Sequence, residues 1–301
     1  PSFTREDNRM SLKHCLTALG LLAVMTALAS AAPPLRAVVV DGRMNRSHDW
    51  RAVSPVLVQL LEETGLFQVE RITAPQGEDL GGFRPKFSAY NVVVLNYDAP
   101  DWPEAVKQDL VDYMQGGGGL VIYHAADNAF PTWKEFNEMI AVGGWGKRTE
   151  KDGPYVRWRN GQIVRDMTPG PGGAHGPQHE YALEVREPQH PIMQGLPPVF
   201  MHSKDELYHS LRGPAKNLTV LATSFSPKDK RGSGEHEPMV MTIAYGKGRV
   251  FHTTLGHAVE QLKSVAFIVT YQRGAEWAAT GKVTQKVPAD FPGPDKPRVR
   301  P

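Results

Sequence analysis

The chain has 301 residues, 41% hydrophobic and 22% charged, which is enough to bury a core and fits one large domain. Its 34 basic and 32 acidic residues are interspersed and leave a formal charge of +2, so no basic stripe is present to hold a phosphate backbone, and nucleic acid is not an expected partner. One cysteine against eleven histidines points away from thiolate chemistry and disulfide scaffolds, toward a site built from imidazoles and carboxylates.

Residues 1–32 read as upstream residues followed by an export signal. Met10 is the start, Lys13 and His14 give a weakly positive region, 15–28 is an apolar run that includes Cys15, and Ala29-Ser30-Ala31 is a small-residue cleavage site. The run is too short, and too soon followed by Pro33-Pro34, to span a membrane. A periplasmic or secreted protein, with no thiol and no membrane span after cleavage, is the expectation.

Past the signal, 35–40 is a β-branched strand closed by Asp41-Gly42. Residues 54–64 place Val56, Leu57, Leu60 and Leu61 at helical spacing, and Gly65 stops them. A second strand alternates over 67–72, and a third, 91–95, is apolar on consecutive positions as a strand covered on both faces would be. A helix over 103–115 has Pro103 in its first turn and turns Val106, Leu110, Val111 and Met114 inward; Gly116 to Gly119 end it, and 120–123 is a fourth strand. This βαβ rhythm predicts a mostly parallel sheet with helices on both faces.

The second half is less regular. Residues 143–180 look like a long excursion with one hairpin, and long loops in compact domains often carry function. Strands are expected at 181–185, 218–223, 239–244 and 249–253, then a closing helix at 264–279. The domain therefore runs over 35–282. The tail 283–301, rich in Pro, Lys and Arg from Pro288 on, is expected to be disordered or extended.

Ligands of open parallel sheets bind beyond the carboxyl ends of the strands. By that rule His48, Asp49 and Trp50 follow the first strand, Asn96, Tyr97 and Asp98 the third, His124 to Asn128 the fourth, and Gly256 and His257 the last. His48, His124 and His257 become candidate acid–base groups, with Trp50, Asp98 and Asp127 as substrate-facing neighbours. A single histidine is more often structural; convergence of four segments is what raises these.

His202, Asp205, Glu206 and His209 form the densest ionisable cluster. In a helix over 203–211, His202 with Glu206 and Asp205 with His209 would share a face as metal ligands do, whereas Ser203 with Glu206 equally fits a capping box. Both readings stay open, with Asp205 and Glu206 as catalytic candidates and His209 as a structural residue. His175 and His179 sit in a Gly-rich loop able to bring two rings to one hydroxyl, and Trp145, Tyr155 and Trp158 could stack on sugar rings or simply anchor the loop. The Gly116–Gly119 run precedes a strand and lacks a following Lys-Ser or Lys-Thr, so it does not read as a phosphate loop.

Four motifs in order resemble one family. They are Gly116-Gly-Gly-Gly-Leu-Val-Ile-Tyr-His124-Ala-Ala; Gln189-His-Pro-Ile192 with Gly195-Leu-Pro197; Asp205-Glu-Leu-Tyr208; and Tyr245-Gly-Lys-Gly-Arg-Val-Phe-His-Thr-Thr-Leu-Gly-His257. Together they are similar to the ThuA-like, trehalose-utilisation family, over 35–280. The resemblance implies a flavodoxin-like fold related to the class I glutamine amidotransferases, and a link to bacterial catabolism of trehalose and other glycosides. Tyr208 enters as a substrate-binding candidate through its motif. Where the amidotransferases place a nucleophilic Cys on the turn after a strand, this chain has His124, with no Cys or Ser in the next three residues. Thioester chemistry on glutamine is therefore excluded.

The sequence thus predicts a secreted protein acting on a glycoside or keto-sugar through histidine and carboxylate acid–base or metal-assisted chemistry. His48, His124, Asp205, Glu206 and His257 would carry the reaction; Trp50, Asp98, Asp127, Trp145, His175, His179 and Tyr208 would bind substrate. His124 and His257 are the candidate metal ligands, with zinc or another divalent metal as the ion. The competing expectation is a non-catalytic sugar-binding protein that accompanies an oxidoreductase or glycosidase. A homo-oligomer is compatible with the chain and not required by it.

Overall fold

The computed structural model describes residues 1–2, 33–43, 47–75, 79–98 and 101–301, so the expected export signal lies outside the described residues. Elements follow in the order β1 (Leu35–Asp41), α1 (Trp50–Glu62), β2 (Phe67–Thr73), β3 (Val92–Leu95), α2 (Glu104–Gln115), β4 (Gly119–Tyr123), α3 (Lys134–Ile140), β5 (Tyr155–Arg159) and β6 (Gln162–Asp166). Then come β7 (Ala174–His175), β8 (His179–Val185), β9 (Val199–Asp205), β10 (Tyr208–His209), β11 (Leu218–Phe225), β12 (His236–Tyr245), β13 (Gly248–Thr253), α4 (Val259–Leu262) and α5 (Val265–Thr280).

One sheet organises the unit Pro34–Pro301, with strand order β2-β1-β3-β4-β13-β12-β11-β8-β9. The first five are parallel, in the order of a flavodoxin-like doubly wound sheet. From β13 onward every pairing is antiparallel, so the sheet is mixed. Strands β3 and β4 are buried at every position because helices cover both faces. On one face Val106, Leu110, Val111 and Met114 of α2 pack with Val38, Val93 and Leu120. On the other, Val53, Leu57 and Leu61 of α1 and Phe267 and Tyr271 of α5 pack with Val39, Val94 and Val121. Leu57 and Leu61 have no exposed surface, and burying each contributes about 2 kcal/mol. Among the described residues no helix is long and apolar enough to cross a membrane.

Two local expectations change, and the expected hairpin is met. Helix α1 begins at Trp50, not at residue 54, because the Asp49 carboxylate accepts the backbone N–H of Arg51 and of Ala52. Pro55 then falls inside the helix, at the loss of one backbone bond. Residues 202–209 are not helical: His202 lies within β9 and Asp205 ends it, β9 pairs with β8, and Tyr208 and His209 form β10, so neither the capping box nor the helical ligand face exists. The 143–180 excursion holds the hairpin β5–β6, turned by Asn160 and Gly161, both at positive φ as a tight two-residue turn requires.

The tail is extended and tied down rather than disordered. Gly293 and Arg298 accept backbone N–H groups of Met201 and Val265, Arg300 donates its own to Lys263, and the Arg300 guanidinium pairs with Asp290 at 2.9 Å.

Candidate active site

Histidine 124 occupies the elbow immediately after β4, with φ of 43°, in the left-handed region that non-glycine residues rarely adopt. Its ring is fully buried, and its Nδ1–H donates to the carbonyl of Thr254 at 2.6 Å, which turns Nε2 outward. There Nε2 accepts from the Tyr208 hydroxyl at 2.9 Å. His48, delivered by the loop before α1, stands edge-on to His124 with ring centroids 5.1 Å apart. His257, from the loop after β13, is 4.8 Å from His48 and 5.6 Å from His124 by the same measure.

Glu206 closes the group. Its carboxylate lies 3.1 Å from Nδ1 of His257, 3.8 Å from Nε2 of His124 and 3.6 Å from Nε2 of His175. One donor atom from each of His48, His124, Glu206 and His257 falls within 4.8 Å of every other, a set able to hold a metal ion.

Burial and charge tune these groups in opposite directions. His48 is pushed down to about 2, by burial first and then by the neighbouring imidazoles, and burial also lowers His124. His257 is raised, because the Glu206 carboxylate sits beside Nδ1. Burial would raise Glu206, but the interaction with His257 and the field of the other rings outweigh it and hold it below its ordinary value. The centre thus sets two rings whose neutral form burial favours beside a His257–Glu206 pair whose charged forms favour each other.

Asp205 acts behind the centre. It has no exposed surface, accepts from Nε2 of His202 at 2.8 Å, and takes the backbone N–H of Gly256 at 2.7 Å, of His257 at 3.2 Å and of Glu206 at 2.8 Å. Ser264 donates to the other nitrogen of His202 at 2.9 Å. Gly256 has φ of 103°, and a Cβ there would meet Tyr123 at 2.8 Å and Phe267 at 3.0 Å; Tyr123 donates its hydroxyl to the Gly256 carbonyl.

A cleft of about 550 Å³ opens over the cluster, lined among others by Ser47, Asp98, Asn128, Trp145, His175 and Tyr208. Trp145 meets Tyr208 edge-on at 4.8 Å. Buried Arg148 fixes the loop that carries Trp145, donating to the carbonyls of Gly144 and Ala129 and to Asn137.

Of the residues singled out in the sequence, His48, Asp98, Trp145, His175, Glu206 and Tyr208 line this cleft, with His124 and His257 against them. Trp50 lies aside from it, under Arg51 and in a small hollow beside His48 and His257, because the helix starts at that residue. Asp127 faces away, fully buried with His252 3.5 Å from its carboxylate. His179 does not line the cleft; its Nδ1 bonds the Pro177 carbonyl and its ring packs on Tyr181. Tyr155 and Trp158 lie beneath Arg212 and Arg186, anchoring the excursion. Arg148 and the Thr254 carbonyl escape a sequence reading, since a buried arginine and a backbone acceptor carry no pattern.

Fold and site together define a flavodoxin-like α/β protein with a histidine–carboxylate centre at the elbow after β4. The model of the ThuA family, described as trehalose utilisation, matches residues 36–278, and the chain belongs to that family. The chain is similar to a putative ThuA-like protein from Parabacteroides merdae, with 47% identity and a TM-score of 0.86 over 89% of this chain and 98% of that one. A second putative ThuA-like protein, from Bacteroides uniformis, shares the fold at 18% identity and a TM-score of 0.55, over 86% and 96% of the two chains. No curated protein matches the sequence significantly.

Proposed function

We propose that this protein acts on a glycoside or keto-sugar of the trehalose type, outside the cytoplasm, by acid–base chemistry at the His48–His124–Glu206–His257 centre. The observation that carries the reading is the convergence of three imidazoles and one carboxylate from four separate segments at the floor of one cleft. Family membership supports the substrate class. Trp145 supplies a flat apolar face for a pyranose ring, the Tyr208 hydroxyl a polar contact, and Asp98, Asn128 and Ser47 acceptors and donors for its hydroxyls.

The chemistry follows from what the floor contains. With no thiol or activated hydroxyl in the centre, a covalent acyl or glycosyl intermediate on Cys or Ser is not the route. A neutral imidazole can take a proton from the carbon next to a sugar carbonyl, and His257, whose charged form the adjacent Glu206 carboxylate favours, can return one to oxygen. Isomerisation and elimination both need only such a pair.

The test is turnover of disaccharides and their oxidised derivatives by the wild type, followed by calorimetry on the same panel. Turnover by the wild type supports the catalytic reading. Affinity without turnover would instead make the protein a sugar-binding accessory, and neither affinity nor turnover would remove the carbohydrate reading.

A further inference from the structure

Hydrogen bonding within the centre does not explain its shape. Nδ1 of His257 is 3.1 Å from Oε2 of Glu206, yet it makes no hydrogen bond among the described residues, because the contact is not aligned with the ring N–H. The three rings are mutually edge-on, at interplanar angles of 64°, 61° and 82°, and separated by 4.8 to 5.6 Å. Three imidazoles bound to a common ion at about 2.0–2.1 Å in tetrahedral directions would hold their centroids about 5 Å apart. The observed ring spacing matches that arrangement, and one donor atom of each ring and of Glu206 lies within 4.8 Å of every other.

We propose that His48, His124, His257 and Glu206 together bind one divalent transition-metal ion, with zinc as the member of that class whose taste for imidazole and carboxylate matches the set. The surroundings are those a metal site needs. His124 donates Nδ1–H to the Thr254 carbonyl, which fixes its tautomer and directs Nε2 to the ion. Asp205 holds the backbone N–H groups of both His257 and Glu206, so two ligands hang from one buried carboxylate. The Tyr208 hydroxyl, 2.9 Å from Nε2 of His124, is released toward the cleft when the ion takes that lone pair.

This deepens the sugar reading and rests on it for what the ion contacts: with the four groups serving as ligands, the acid–base role passes to their neighbours, and the ion would polarise a carbonyl or paired hydroxyls of the substrate. His175 and Tyr208 remain beside it to exchange protons.

The experiment is elemental analysis of the purified full chain, then calorimetric titration of the chelator-treated protein with zinc, manganese and magnesium chloride. We expect one equivalent of zinc per chain, and at least about a hundredfold weaker binding in His257→Ala and Glu206→Gln, with His236→Ala unchanged. Cobalt substitution gives a second readout, a visible absorption of four-coordinate character that is absent from both variants. No binding of any of the three ions by the wild type, or equal zinc affinity in the variants, overturns the proposal. Sugar affinity measured in parallel separates the two readings: sugar binding without metal sinks only the ion, and metal binding without sugar affinity sinks only the substrate assignment.

Discussion

Asp205 and His257 are joined through the backbone, the carboxylate of one accepting the N–H of the other at 3.2 Å, so that a strand end in the antiparallel half of the sheet sets the position of a ring beyond its parallel half. The same carboxylate accepts from His202, itself anchored by Ser264, and neither side chain of that pair reaches solvent. Replacing Asp205 by Asn leaves buried N–H groups competing for one oxygen. An expected loss of about 3 kcal/mol or more in urea unfolding follows from removing a buried carboxylate that accepts from four N–H groups. A loss under 1 kcal/mol would remove Asp205 as the anchor.

Gly256 permits that contact. A methyl group there meets Tyr123 at 2.8 Å and Phe267 at 3.0 Å with φ at 103°, so Gly256→Ala should destabilise by roughly 2–3 kcal/mol and displace His257. Thermal unfolding reads the first effect, and the NMR shift of the His257 ring the second; an unchanged melting temperature would contradict it.

These two positions show where the sequence is readable and where it is not. Strands β1, β3 and β4 are legible because a run such as Val92 to Leu95 is apolar at every position, and the strand-end rule then delivers His48, His124 and His257. Residues 202–209 are ambiguous, since carboxylates and imidazoles three and four apart suit a helix and a strand end alike. What decides is pairing of β9 with β8, a distant segment that no local pattern names. Helix α3 is seven residues long with no side-chain cap, too short for periodicity to declare it. The antiparallel order of β12, β11, β8 and β9 is a tertiary choice, and the tail's Pro-rich composition conceals the backbone acceptors that tie it to the body.

Trp145 and Trp158 separate ligand binding from loop anchoring. Trp145 lines the cleft, and Trp158 lies under Arg186 with its guanidinium 4.6 Å from the ring. Trp145→Ala should weaken disaccharide affinity about tenfold, or about 1.4 kcal/mol, while Trp158→Ala leaves it unchanged. Calorimetry on both variants checks this, and equal losses would contradict the assignment.

The C-terminal tail supports the anchor from below. Its residues accept backbone N–H groups from Met201 and Val265, and Arg300 donates to Lys263, beside the Ser264 that holds His202. Truncation after Pro288 removes the three backbone bonds that tie the tail to the body, and at about 1 kcal/mol each the expected loss is about 2–4 kcal/mol. Differential scanning calorimetry measures it; a melting temperature equal to that of the full chain would show that the tail is not structural.

Turnover of a disaccharide panel by His124→Ala and His257→Ala, beside the wild type and with folding checked by circular dichroism, tests the central claim most directly. The account predicts a fall of at least about a hundredfold in each variant, the scale of losing a positioned acid or base. Full activity in both would contradict it.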